Sequence, residues 1–213
     1  MTQPPSLFCL ALSLVCAALF LSACGQSGSP PPVPDSSEAT SYTVAANSNI
    51  AGSLDLADQQ DFADADRGLI ARAPDTPVLD SSGNVIWDPA SYGYIQGDAP
   101  TTVNPSLWRQ SKLNMRRGLY KVTDGIYQLR GFDLANMSSI EGDSGWIVVD
   151  PLTTEDTARA AMAFARQHLG EKPVSAILFT HSHIDHFGGA LGVMSMEQAS
   201  ADKVQIVAPV GFI

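Results

Sequence analysis

Metal-binding side chains crowd one short stretch of this chain, Thr180-His181-Ser182-His183-Ile184-Asp185-His186-Phe187-Gly188-Gly189, which holds three of its four histidines. Imidazole nitrogen and carboxylate oxygen are the donors that zinc and similar borderline divalent ions take from proteins. Four such donors within six residues of so histidine-poor a chain name a chemistry, water activated by a metal and used for hydrolysis. Laid out as an extended stretch, His181, His183 and Asp185 share one side and His186 points elsewhere. That suits two adjacent ions better than one. The alternative is a polar loop whose histidines only cap the helix that follows.

The elements around the cluster are those a site of this kind needs. Val174 to Thr180 is apolar without strict alternation, which predicts a buried strand of a parallel sheet. Gly188-Gly189 then lets the backbone turn, and Ala190 to Met196 is expected to continue as a helix. Loops at the carboxyl ends of such strands are where open α/β sheets build their sites. Upstream, Thr153 or Thr154 caps a helix from Glu155 to Leu169, with Glu155 and Asp156 at its positive end and Gly170 as its stop. Ala158, Ala161, Met162, Ala165 and Leu169 form its apolar stripe, and His168 reads as a surface residue in its last turn. With Val204 to Ala208 as a further strand, the order is βαβ. Earlier in the chain, Asn104-Pro105 opens a helix to about Asn114, and Val78-Leu79 with Val85-Ile86-Trp87 make a hairpin candidate.

Composition narrows the class. The chain carries 22 acidic and 12 basic side chains, a net charge of −10. That argues against nucleic acid or anionic lipid as a partner, since both demand clustered Lys and Arg. The segment Asp55 to Asp66 supplies much of the acidity. It lacks the central Gly and the terminal Glu of a calcium loop, so a solvated acidic helix is expected there.

The first 24 residues hold no charged side chain and one apolar run, Leu7 to Leu21. This reads as a secretory signal, although Met1 to Ser6 lacks the usual Lys or Arg. Leu21-Ser22-Ala23-Cys24 looks like a lipoprotein box with Cys24 as the acylated residue. Gly25 in place of aspartate favours the outer membrane over the inner. Residues 25–45 follow as a Pro/Ser/Gly tether. With Cys9 and Cys16 inside the signal and Cys24 lipidated, the mature domain has no thiol, so a metal must rely on histidine and carboxylate.

The HxHxDH pattern behind an apolar strand resembles the signature of the metallo-β-lactamase superfamily. Gly125 to Gly131 and Ser144-Gly145-Trp146-Ile147-Val148-Val149-Asp150-Pro151 look like the opening hairpin and a strand end of that fold. NPSLWRQSKLN (104–114), GLYKVTDGIYQLRGFDLANMSSIEG (118–142) and GWIVVDPL (145–152) are similar to its alkyl/aryl-sulfatase branch, as is RGLIA (67–71). The resemblance implies an α/β fold, the N-terminal part of an αββα sandwich. Residues 46–117 would be a family-specific extension and 118–213 the first part of the metallo-β-lactamase-like domain.

It further implies two zinc ions, one on His181 and His183, the other on Asp185 and His186, with Asp185 also handling the proton of a shared hydroxide. Asp150 is expected either to support the histidine loop from behind or to be a plain turn residue before Pro151. Asn136 is a weak candidate for substrate contact. The implied reaction is hydrolysis of a primary alkyl sulfate, such as dodecyl sulfate, to alcohol and sulfate. Full-length members are expected to be homodimers, held to a membrane only through a lipid anchor. The branch uses further ligands downstream of this stretch, so the chain is expected to be an N-terminal fragment, inactive alone. The alternatives are another hydrolase of the same fold, acting on a lactone, thioester or β-lactam, or an inactive lipoprotein remnant.

Overall fold

The structure, a computed structural model, describes residues 38–212. The expected signal segment, Cys24 and most of the expected tether lie outside these residues. The last part of that tether, from Ser41, is already helical. Helix α1 spans Ser41–Ser53, capped by the Thr40 hydroxyl, which accepts from the Thr43 N–H.

Seven strands make the main sheet: β1 (Leu69–Arg72), β4 (Gly118–Thr123), β5 (Ile126–Arg130), β6 (Met137–Glu141), β7 (Trp146–Val149), β8 (Val174–Leu178) and β9 (Gln205–Val207), lying in that order. Pairing is antiparallel from β1 through β7 and parallel across β7, β8 and β9. The expected hairpin forms a separate ribbon, β2 (Val78–Leu79) with β3 (Val85–Trp87). Because β1 pairs with β4, the 46–117 segment contributes a strand to the sheet that 118–213 builds.

Between β3 and β4 lies helix α3 (Pro105–Asn114), whose cap Asn104 accepts from the Ser106 and Leu107 N–H groups. The acidic segment behaves differently from expectation. Only Gln60–Asp66 is helical, α2. Asp55 and Asp58 instead accept from the backbone N–H groups of Ala57 and Gln60, two residues on. Such local bonds offer the chain a turn in place of a helix.

Helix α4 (Glu155–Leu169) has the expected ends, with a capping box between Thr154 and Thr157 and Gly170 as its C-cap. Its buried Ala158, Ala161, Met162 and Ala165 pack into one core with Leu119, Leu129, Met137, Val148 and Ile177 of the sheet. Small alanines let the helix approach the larger strand side chains closely. On the opposite face, in register, lie Ile140, Ile147 and Ala176, then Ser138, Val149 and Leu178, all only half-buried. A mixed sheet with helices on one face is one β-layer and one α-layer of the αββα architecture. The helix expected over Ala190–Met196 is interrupted: α5 covers Ala190–Val193, Met194 is extended, and Ser195 caps α6 (Met196–Ala201).

Candidate metal loop

The histidine stretch leaves the carboxyl end of β8 and is anchored by a carboxylate from the end of its parallel neighbour β7. Asp150 is buried, 7% exposed, at the residue after β7. The Thr180 N–H donates to its Oδ1 at 2.8 Å and the Thr180 hydroxyl to its Oδ2 at 2.6 Å. His186 Nδ1 lies 2.8 Å from the same Oδ2. Asp150 thus bonds to both Thr180 and His186, on either side of the loop. Its backbone is in the left-handed region, φ 53°, and so is that of buried Leu152, φ 67°. Aspartate tolerates that conformation better than leucine does. The turn at Pro151 thereby directs the Asp150 side chain under the loop.

These contacts assign protons. A carboxylate only accepts, so His186 carries a proton on Nδ1, and as a neutral imidazole it offers Nε2 as a lone pair. The Thr180 proton is committed to Asp150, so Thr180 Oγ1 accepts from His181 Nδ1, 3.0 Å away. His181 Nε2 is then also a lone pair, and it lies 3.1 Å from His183 Nδ1. His186 Nε2 lies 3.3 Å from Asp185 Oδ2. Neighbouring donors on a tetrahedral zinc with bonds of ~2.0–2.1 Å stand about 3.3 Å apart. Both pairs therefore have the separation of two ligands on one ion. The His181 and His186 rings are 4.1 Å apart between centroids, which puts the two pairs side by side. The donors fit zinc in kind and spacing, two to each pair. Among the described residues, no three His, Cys, Asp or Glu side chains converge on one point.

The extended alignment of His181, His183 and Asp185 does not occur. Residues Ile184–His186 form a 3₁₀ turn, closed by the His186 N–H to His183 O bond of 3.0 Å. The turn carries Asp185 away from the first two histidines and pairs it with His186. Gly188 and Gly189 lie in a turn, as expected, and they make a close approach as well. Neither has positive φ. A Cβ on Gly188 would lie 2.2 Å from the Thr153 carbonyl oxygen, and one on Gly189 would lie 2.1 Å from that of Pro151. These glycines bring the loop's exit against the turn after β7.

Sequence reasoning missed Asp133. This carboxylate is 7% exposed and accepts from the Thr153 N–H and hydroxyl and the Thr157 hydroxyl, at 3.0, 2.7 and 2.7 Å. It ties the β5–β6 loop to the start of α4. Thr180, the link between Asp150 and His181, was also missed, although a hydroxyl directly before the first histidine was the available signal. Asn136 is exposed and lines a hollow of about 250 Å³ with Arg116, Arg117, Arg130, Trp87 and Tyr92. None of the four loop donors lines that hollow. His168 is exposed at the end of α4, edge-on to Phe164 at 4.6 Å.

Residues 130–209 match the metallo-beta-lactamase superfamily profile. A linear primary-alkylsulfatase from Pseudomonas sp. is 48% identical over 177 residues, 82% of this chain and 26% of that protein. An (R)-specific secondary-alkylsulfatase from Pseudomonas sp. is 46% identical over 180 residues, 84% of this chain and 27% of that one. The solved structure of the stereoselective inverting sec-alkylsulfatase Pisa1 from Pseudomonas sp. superposes with a TM-score of 0.76 at 46% identity, covering 84% of this chain and 28% of that one. The chain thus spans about a quarter of the length of the relatives it matches. In sequence and in fold, more than four fifths of this chain is thus similar to part of the alkylsulfatases, and residues 130–209 carry the match to the metallo-β-lactamase superfamily.

Proposed function

We propose that this chain supplies the metal loop of a metal-dependent sulfuric ester hydrolase that cleaves alkyl sulfates to alcohol and sulfate. The observation that carries the reading is the pair of donor couples, His181 with His183 and Asp185 with His186, aimed by Asp150 and Thr180. In this reading each couple would hold one zinc, which when bound would supply a water acidic enough to be a nucleophile near neutral pH. Asp185 would orient that water and accept its proton. Asp150 keeps the His186 ring in the tautomer that offers Nε2 outward. Asn136 contacts the substrate, a role supported by its place in a hollow flanked by three arginines.

The family resemblance also supports a homodimeric working state, and the Cys24 segment supports lipid anchoring on the periplasmic side, in the outer membrane. Metabolic labelling with palmitate, lost in Cys24→Ala, tests the anchor. The activity is tested by sulfate release from dodecyl sulfate by the zinc-loaded full-length protein, with Asp185→Asn as control. No release above that control, or equal release by both proteins, sinks the proposal. A second reading, a lipoprotein remnant that binds metal weakly, is favoured by the absence of a third converging donor among the described residues. Zinc titration separates the two, since tight binding excludes the remnant.

A further inference from the structure

Two buried carboxylates meet at the turn after β7, and the chemistry proposed above uses only one of them. Asp150 opens the turn and bonds outward to Thr180 and His186. Asp133 reaches the other end of the turn from the β5–β6 loop, and like Asp150 it is 7% exposed. Its Oδ2 accepts from the Thr153 N–H and the Thr157 hydroxyl, and its Oδ1 from the Thr153 hydroxyl and the Leu134 N–H. All four of these groups donate, so only a side chain with two accepting oxygens fits the place.

The Thr153 N–H belongs to a peptide group that is held from both sides. Its amide end donates to Asp133 at 3.0 Å, and its carbonyl end, Leu152 O, accepts from the Gly189 N–H at 2.9 Å. A planar trans peptide points these two groups in opposite directions, so fixing one aims the other. Gly189 lies three residues beyond His186, at the exit of the metal loop. The hold acts against strain. Leu152 is fully buried with φ 67°, and Asp150, two residues before it, has φ 53°. Left-handed backbone at such residues persists only where the surroundings enforce it. Rotation of Leu152 to negative φ would swing the peptide out of line and break both bonds together.

We propose that Asp133 is a positioning residue for the metal loop. It locks the Leu152–Thr153 peptide, keeps the turn in its left-handed course, and so holds Asp150 and the loop's exit where they aim the His186 ring. None of its described hydrogen bonds goes to a loop donor, and its effect passes through Thr153, Leu152 and Gly189. The consequence for zinc rests on the function proposed above, whereas the hold on His186 rests on the geometry alone.

The test reads the His186 ring with and without zinc. In the full-length protein, isotope-labelled at its histidines and stripped of metal by chelator, the His186 Nδ1–H is expected as a downfield, slowly exchanging proton signal. Its loss in His186→Gln assigns it. Asp133→Asn turns an NH2 group toward two donors and should abolish that signal. It should also weaken zinc binding by at least about tenfold, the usual effect of losing a supporting partner. Thr157→Val removes one of the four bonds, keeps the side chain's shape, and should move both readings the same way by less. Ala165→Gly destabilises the same helix about two turns from the contact and should leave both readings alone.

Circular dichroism checks that each variant folds, and Thr157→Val decides the matter if Asp133→Asn does not. A signal and a zinc affinity both unchanged in the folded variant overturn the inference. So does an equal change in Ala165→Gly, which would trace the effect to a general loss of stability. A protein that shows the His186 signal, loses it in Asp133→Asn and binds no zinc sinks the proposed metal loop and leaves Asp133 as the residue that positions His186.

Discussion

At the scale of single residues, Asp150 does the most. Its carboxylate is filled by Thr180 and His186, and it is the partner of His186 Nδ1. Asp150→Asn keeps the shape but can turn an N–H toward His186 and disturb its tautomer. Zinc affinity is expected to fall about 10–100-fold, the usual effect of losing such a supporting partner, as read by competition with a chromogenic chelator. Unchanged affinity would mean that the ring is held by something else.

Tyr120 poses a second single-residue case. It is fully buried, its hydroxyl has no partner, and the Arg130 guanidinium lies 4.1 Å over its ring. Burial, the largest cause, raises its pKa above the ordinary 10.0. The folded state therefore holds the phenolic proton more tightly than the unfolded state does. This contribution to stability is complete below pH ~10 and is lost as pH rises from there through the raised value. Tyr120→Phe removes the unsatisfied hydroxyl and keeps the ring beneath Arg130. It should stabilise the fold by about 1 kcal/mol at neutral pH and reduce the alkaline loss. Urea unfolding at neutral and alkaline pH measures both effects.

At the scale of elements, the loop is set by how closely its exit helix meets the turn after β7. Gly189→Ala would place a Cβ 2.1 Å from the Pro151 oxygen and 2.8 Å from the Ala158 Cβ. Overpacking of this kind costs about 1–3 kcal/mol, so the melting temperature should drop by several degrees and zinc binding should weaken with it. A stable variant with full affinity would show that α5 can move away without disturbing the histidines.

This is also where sequence reading succeeded and failed. Helices α3 and α4 were legible because their caps, Asn104 and Thr154, and the Gly170 stop are local signals within a few residues of the elements they define. The parallel strand β8 was legible from a run that is mostly apolar without strict alternation. The 3₁₀ turn at Ile184–His186 was not, because it is set by Thr180 and His186 both bonding to Asp150, a residue 30 and 36 positions away. The close approach made at Gly188 and Gly189 was hidden for the same reason. A glycine chosen for turning and one chosen for close approach look identical in a sequence.

At the scale of the whole molecule, one sheet face is sealed by α4 and the other carries half-buried Ile140, Ile147, Val149 and Leu178. The terminal strand β9 is exposed throughout, with Ile206 53% and Val207 45% accessible. An apolar strand at a sheet edge is a template for pairing with another chain. Ile206→Lys is expected to raise severalfold the concentration at which the 213-residue chain self-associates, as measured by sedimentation velocity. No change would place the association elsewhere, such as on the open sheet face. The architecture itself was readable from the strand–helix–strand order and the family resemblance. The pairing of β1 with β4 was not, since strands brought together across more than 40 residues leave no periodic trace.

The bond between Asp150 and the loop sets a rule for transplanting this chemistry. The six residues from His181 to His186 look like a portable cassette, yet half of what aims them sits on another strand. Moved alone onto a different sheet, they would carry the ligands and leave the aim behind. Asp150 and Thr180 must travel with them, together with a turn tight enough to hold a left-handed aspartate. The unit that can be inherited or grafted is therefore a pair of adjacent parallel strand ends.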